Sequence, residues 1–281
     1  MTRDPTGYPD QPGSGEDAVA LVHSSGASAR ITHYGAHVVS WVDASGRERF
    51  YLSSRAQFGQ GKSIRGGIPV VFPQFGTGPL PKHGFLRTRR WSLIAHVYTS
   101  ATFRITDDEQ TRALWPYPFL AELTVNLADM LTVSLTITNS GDSPFSFTAA
   151  LHNYFAVTDV QLATVRGLSG LVYVDKMAAG TRSVEEAPDL HLRGQTDRIY
   201  ISGPRQVTIS SAVGSSSTVV GTDGFGDWVV WNPWREGSAS LADMDPQDYL
   251  QMMCVEAARI SDPVVLAPSA VWCGTEVIGA T

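Results

Sequence analysis

The chain has 281 residues, 43% hydrophobic and 17% charged, with 21 Lys and Arg against 27 Asp and Glu for a formal net charge of −6. This composition suits a globular protein with a sizeable core and excludes a disordered chain. No run approaches the length of a membrane-spanning helix, and the net acidity argues against a general binder of nucleic acid or of membrane surfaces. The average conceals a sorted distribution, however. From Arg49 to Thr106 there are nine basic residues (Arg49, Arg55, Lys62, Arg65, Lys82, Arg87, Arg89, Arg90 and Arg104) and no Asp or Glu. A stretch cleared of carboxylates points to a place for an anion.

Met1–Glu16 is rich in Pro, Gly and Asp and has no apolar core of a signal peptide. It reads as a frayed extension ahead of one domain over residues 17–281. Short strands follow from Ala18 to Leu52. Ala56–Ser63 fits a relaxed phosphate-loop pattern, but that loop needs a helix starting at its Lys, and Pro69 and Pro73 forbid one. A nucleotide loop is therefore rejected.

Period-two alternation dominates what comes next. Ala101, Phe103 and Ile105 alternate with polar residues, as do Phe119, Ala121, Leu123, Val125 and Leu127, then Leu131, Val133, Leu135 and Ile137. The last two runs, joined by Ala128-Asp129-Met130, form a hairpin of half-buried antiparallel strands. Further strands fall at 165–174, 207–209, 228–231 and 251–278. Cys254 and Cys273 lie in apolar strand-like segments and are expected to be buried free thiols in a reducing cytoplasm. No long amphipathic helix or internal repeat appears. The fold class is all-β, a large sandwich of mainly antiparallel strands.

Three segments carry chemistry. Ser63–Gly76 and Leu80–Arg87 combine tandem Gly and spaced Pro with Arg65, Lys82, His83 and Arg87, a rigid irregular backbone suited to an anion pocket. In Phe145–Phe155, alternation puts Thr148, Ala150 and His152 on one face; a histidine satisfied within the core is the competing reading. In Gln251–Ile260, Glu256 shares its face with Met252, Cys254, Ala258 and Ile260. A carboxylate among such neighbours has a raised pKa, as a general base requires, unless an Arg bridges it. Trp228, Trp231 and Trp234 are candidates to stack on a sugar, whereas core packing is expected for at least two of them.

These segments, with Thr196-Asp197-Arg198-Ile199-Tyr200 and Val230-Trp231-Asn232-Pro233-Trp234, resemble the D-hexose-6-phosphate mutarotases (glucose-6-phosphate 1-epimerases), relatives of the aldose 1-epimerases. The likeness runs from about residue 17 onward. It implies a galactose-mutarotase-like β-supersandwich, a small sugar phosphate as substrate, and neither metal nor organic cofactor. It also implies His152 as general acid, Glu256 as general base, and His83 bonding the sugar. Arg65 and Arg87 match phosphate- and substrate-binding positions, and Asp197 a sugar-binding carboxylate. Lys82 stands where relatives often have Gln, adding a cation. Gln74 of the same loop is included among the substrate-binding residues, and monomer is the simplest assembly. Three alternatives stay open: an epimerase of unphosphorylated aldoses, a non-catalytic carbohydrate-binding protein, and a metal enzyme using His83, His152 and Glu256.

Overall fold

Alternation in the sequence becomes alternation of faces in the structure. A computed structural model of the chain describes residues 17–59, 61–211 and 217–281; the expected extension at Met1–Glu16 lies outside the described residues. Phe119–Leu127 and Leu131–Asn139 pair antiparallel, from Phe119 opposite Asn139 to Leu127 opposite Leu131. The Ala128 N–H donates to the Met130 carbonyl at 3.0 Å and closes the turn. The apolar set of each strand is buried, and the Thr, Ser and Glu between them are half-buried.

That hairpin belongs to a nine-stranded sheet. Its order is Asp189–Leu190, Thr164–Arg166, Gln206–Ser210, Ser217–Asp223, Val271–Ala280, Leu131–Asn139, Phe119–Leu127, Ser100–Thr106 and Ser92–Val97. An eight-stranded sheet runs Thr181–Val184, Val172–Asp175, Thr196–Tyr200, Asp227–Asn232, Met252–Leu266, Phe145–Leu151 and Val70–Val71, with Tyr154–Ala156 paired beside it on Met252–Leu266. Ala18–Val22, Ser28–Thr32 and His37–Val42 form a third, three-stranded sheet. The inner faces of the two large sheets meet in one hydrophobic cluster, with Leu123, Val133 and Leu135 from one side and Phe147, Leu151, Val230 and Ala257 from the other. Burial of this kind is the main stabilising term of a sandwich.

The opposite face of the eight-stranded sheet carries a smaller apolar patch of Val71, Ala150, Ile199, Val229 and Ala258. Successive residues of a strand point to opposite faces, so the inward Ala257 and the outward Glu256 and Ala258 follow from one register. This patch floors the candidate site. The helices are short: Glu109–Leu114 and Trp234–Ala239 have six residues each. Among the described residues no helix is long and apolar enough to cross a membrane. Gly59 and Lys62 bridge across a turn and no helix starts at Lys62, as the rejected phosphate loop required.

One expectation needs correcting. Cys254 is buried but Cys273 is exposed, and both are free. On Val271–Ala280 the inward positions are Gly274, Glu276 and Ile278, so Cys273 takes the outer face between Thr136 and Thr275. An apolar residue type did not override the parity of the strand.

Candidate active site

The loop from Ser63 to Arg87 is shaped by close backbone packing. Gly67 has φ +59°, and a Cβ there would lie 2.1 Å from the Val38 carbonyl oxygen. Only glycine fits, which is why Arg65 is followed by a Gly pair. His37 Nε2 donates to the Gly66 carbonyl at 2.7 Å, and burial lowers that imidazole to a pKa of about 4, so it is neutral. Gly84 has φ +70° and would place a Cβ 1.9 Å from the Phe72 carbonyl oxygen. Its neighbour His83 also occupies the left-handed region, at φ +64°. For a non-glycine residue this conformation carries strain of the kind concentrated at functional sites. The His83 N–H bonds the Gly76 carbonyl at 2.9 Å, and Phe85 N–H bonds the Phe72 carbonyl at 3.0 Å, fixing it.

The loop overhangs the outer patch of the eight-stranded sheet and encloses a cavity of about 530 Å³. Arg65, Lys82, His83, Arg87, His152, Asp197 and Glu256 all line it. The residues that the sequence segments kept far apart therefore converge. Gln74 does not join them. Its Nε2 donates to the Gly76 and Leu80 carbonyls, both at 3.2 Å, and its Oε1 accepts from the Leu80 N–H at 3.1 Å. This side chain staples the loop that carries His83, and its polar atoms are used up in doing so.

His152 follows directly on Phe145–Leu151, and its ring stacks on Tyr154 with centroids 4.9 Å apart and planes 9° from parallel. Its Nδ1 lies 3.3 Å from Glu256 Oε1. That contact lacks hydrogen-bond alignment: His152 Nδ1 and Glu256 Oε2 are both buried without a partner. Buried polar atoms are normally paired, and these two unpaired ones belong to residues that line the cavity. Gly76 N–H approaches His83 Nδ1 at 3.4 Å, which assigns the ring proton to Nε2. Burial, followed by Arg87, Lys82, Lys176 and Arg65, holds the His83 pKa far below its ordinary value, so the ring is a neutral donor.

The basic residues sort into two groups. Arg49 is paired with Asp43, Arg55 with Asp245, Arg89 with Asp108, Arg90 with Asp17 and Arg104 with Glu122. For these five, other segments supply the carboxylates missing from their own stretch. Arg65 bonds Tyr154 Oη at 2.8 Å and Asp243 at 3.2 Å, so it is anchored as well as cavity-facing. Arg87 donates to the Lys82 carbonyl at 2.7 Å, and its buried Nε has no partner.

The family model described as Aldose 1-epimerase matches residues 17–278. The chain belongs to the aldose 1-epimerase family. It is 34% identical to a protein of Cenchrus ciliaris over 95% of this chain and 85% of the other. It is also 34% identical to a protein of Escherichia coli K12 over 88% of this chain and 84% of the other. Both relatives bear the name "Putative glucose-6-phosphate 1-epimerase". Among solved structures, "a putative mutarotase" of Salmonella typhimurium superposes with a TM-score of 0.86 at 27% identity, covering 95% of this chain and 92% of that one.

In an aldose 1-epimerase the cavity must take a proton from the anomeric hydroxyl and deliver one to the ring oxygen. Burial raises the Glu256 carboxyl well above its ordinary range; Asp197 and Glu276 add to the rise, while Lys176 and Arg87 oppose it. Burial lowers the His152 imidazole well below its ordinary value, helped by His83, Arg87 and Arg65. The two shifts together favour a neutral carboxyl beside a neutral imidazole, a pair that holds one transferable proton.

Sequence reasoning missed one cation on the wall of this epimerase. Lys176 sits beyond the strand Val172–Asp175, with its Nζ 3.7 Å from Asp197 and 4.8 Å from the Phe75 ring centroid. It lies far outside the carboxylate-free stretch, and no local motif announces it. Trp231 faces the cavity, 6.2 Å between ring centroids from His152, whereas Trp228 is buried in the core and Trp234 packs on Tyr249. The proposed metal set also changes. Among the described residues His152, Cys254 and Glu256, not His83, place ligand atoms within 4.8 Å of one another. Four cations around the same space oppose a divalent ion there.

Proposed function

We propose that this aldose 1-epimerase interconverts the α and β anomers of a hexose 6-phosphate such as glucose 6-phosphate. The observation that carries the reading is the placement of Arg65, Lys82, Arg87 and Lys176 on the wall of the cavity that also holds His152 and Glu256. A neutral sugar needs no such field, whereas a phosphate dianion does. The names borne by the two relatives agree with it.

Glu256 accepts the proton of the anomeric O1 hydroxyl while His152 protonates the ring oxygen. The C1–O5 bond breaks, the C1–O1 bond becomes the aldehyde, and rotation about C1–C2 exposes the other carbonyl face. Closure returns both protons and gives the other anomer, so nothing is consumed. His83, through Nε2–H, and Asp197 hold sugar hydroxyls, and Trp231 offers a face for the ring. The phosphate charge offsets the cations that depress His152, so with substrate bound the one proton held by the His152–Glu256 pair is favoured on the imidazole, leaving the carboxylate that the first step uses.

Exchange NMR on equilibrated glucose 6-phosphate tests this reading. Added protein is expected to speed exchange between the α and β resonances well above the spontaneous rate. Saturable binding without faster exchange would instead describe a sugar-phosphate-binding protein.

A further inference from the structure

Glu276 is a carboxylate where the fold needs none. It is 0% exposed, on the inner face of Val271–Ala280 between the inward Gly274 and Ile278. A carboxyl buried among apolar residues is costly unless it is well partnered. Its partners belong to the other sheet: Asn153 Nδ2 donates to Oε1 at 2.8 Å and to Oε2 at 2.9 Å, and the Ala257 N–H approaches Oε1 at 3.3 Å.

The place it reaches is a break in the ladder beside the acid and base. Phe145–Leu151 pairs with Met252–Leu266 as far as Leu151 opposite Ala257, and pairing resumes at Tyr154 opposite Cys254. His152 and Asn153 occupy the gap on one strand, and Val255 and Glu256 on the other. Two long bonds cross it, from the Val255 N–H to the Asn153 carbonyl at 3.3 Å and from Asn153 Nδ2 to the Val255 carbonyl at 3.4 Å. A buried N–H left by such a break needs an acceptor. For the Ala257 N–H, next in chain to Glu256, that acceptor is Glu276. For the side chain of Asn153, next in chain to His152, it is again Glu276.

We propose that Glu276 is a positioning residue, which clamps Asn153 and Ala257 from the opposite sheet and thereby sets His152 and Glu256 at their working separation. It touches neither substrate nor reacting atoms. This inference rests on the roles given above to His152 and Glu256.

The test compares Glu276→Gln with Glu276→Leu, of similar size, in the full chain. Gln keeps an acceptor for the two donors and adds an amide N–H for Asn153 Oδ1, which is buried without a partner. The expected result is a kcat for glucose 6-phosphate within about threefold of wild type in Glu276→Gln, and at least about tenfold lower in Glu276→Leu, with KM changed less than about twofold in both. The ¹⁵N resonances of the His152 imidazole read the same geometry without turnover. They should hold in Glu276→Gln and move in Glu276→Leu, a result that stands even if glucose 6-phosphate proves not to be the substrate. If Glu276→Leu fails to fold, Asn153→Ala cuts the clamp from its other end, and the same loss of kcat at constant KM is expected. A folded Glu276→Leu or Asn153→Ala with wild-type kcat and unmoved His152 resonances overturns the proposal, and so does a Glu276→Gln as impaired as Glu276→Leu.

Discussion

Replacing Glu256 by Gln separates what this carboxyl does for catalysis from what it does to stability. The side chain is 1% exposed, and Gln matches its shape but cannot take up the O1 proton. A positioned base contributes about 10²–10⁴-fold, so kcat for glucose 6-phosphate should fall by that factor, about 3–5 kcal/mol of barrier. KM should stay within about threefold, because Arg65, Lys82, Arg87 and Lys176 still hold the phosphate. Stability should move the other way. The folded pKa of Glu256 is raised, so above the unfolded value near 4.5 the native state binds more protons than the unfolded state. Wild-type stability therefore declines as pH rises from 4.5 towards the folded pKa, by about 1.4 kcal/mol for each unit of separation. Gln does not titrate, and Glu256→Gln should melt higher than wild type at pH 8, with a smaller gap at pH 5. Each kcal/mol is worth about 2–4 °C in a chain of this size. Exchange NMR supplies the rate and thermal melts at the two pH values supply the stability. Near-wild-type turnover would remove Glu256 as the base. A variant that melts lower than wild type at pH 8 would refute the argument from burial.

Other outcomes follow from the same geometry. Lys176→Met should cut kcat/KM for glucose 6-phosphate by about tenfold or more, the worth of one charge-assisted bond, and leave any glucose activity unchanged; equal losses on both sugars would take Lys176 off the phosphate. The alkaline limb of kcat/KM should lie above the ordinary carboxylate range, because activity needs the one proton that the His152–Glu256 pair holds and burial raises the carboxyl that keeps it; activity already lost as pH rises through 4.5 would contradict that. Glu276, raised from 4.5 to about 8, costs the wild type stability that is lost as pH climbs through that window, with a ceiling of roughly 5 kcal/mol above it. The stability advantage of Glu276→Gln should therefore grow from pH 5 to pH 8 in denaturant titrations, and a gap that does not change with pH would count against it.

Strand parity was legible because it repeats. Phe119–Leu127 and Leu131–Asn139 announce their buried face at every second residue, and so does the outward placement of Glu256 with Ala258 and Ile260. Residues that line the site by long-range contact were less legible. Lys176 reaches the cavity only because Val172–Asp175 pairs with Thr196–Tyr200, which carries Asp197. Gln74 had the right chemistry in the right loop, but its amide is spent on the backbone groups of Gly76 and Leu80. The carboxylate-free stretch proved a weaker signal than its composition suggested, since Arg49 finds Asp43 across a turn and Arg104 finds Glu122 on the neighbouring strand. Glu276 hid in plain alternation. Nothing local distinguishes a carboxyl that points into a core from one that points to water.

The central claim is that the cations beside His152 and Glu256 exist for a phosphate. The most direct measurement is kcat/KM for anomer exchange with glucose 6-phosphate and with glucose, on the same protein at the same ionic strength. The expected ratio is at least about 10² in favour of the phosphorylated sugar, from one or two charge-assisted contacts. Equal acceleration of both sugars would contradict it.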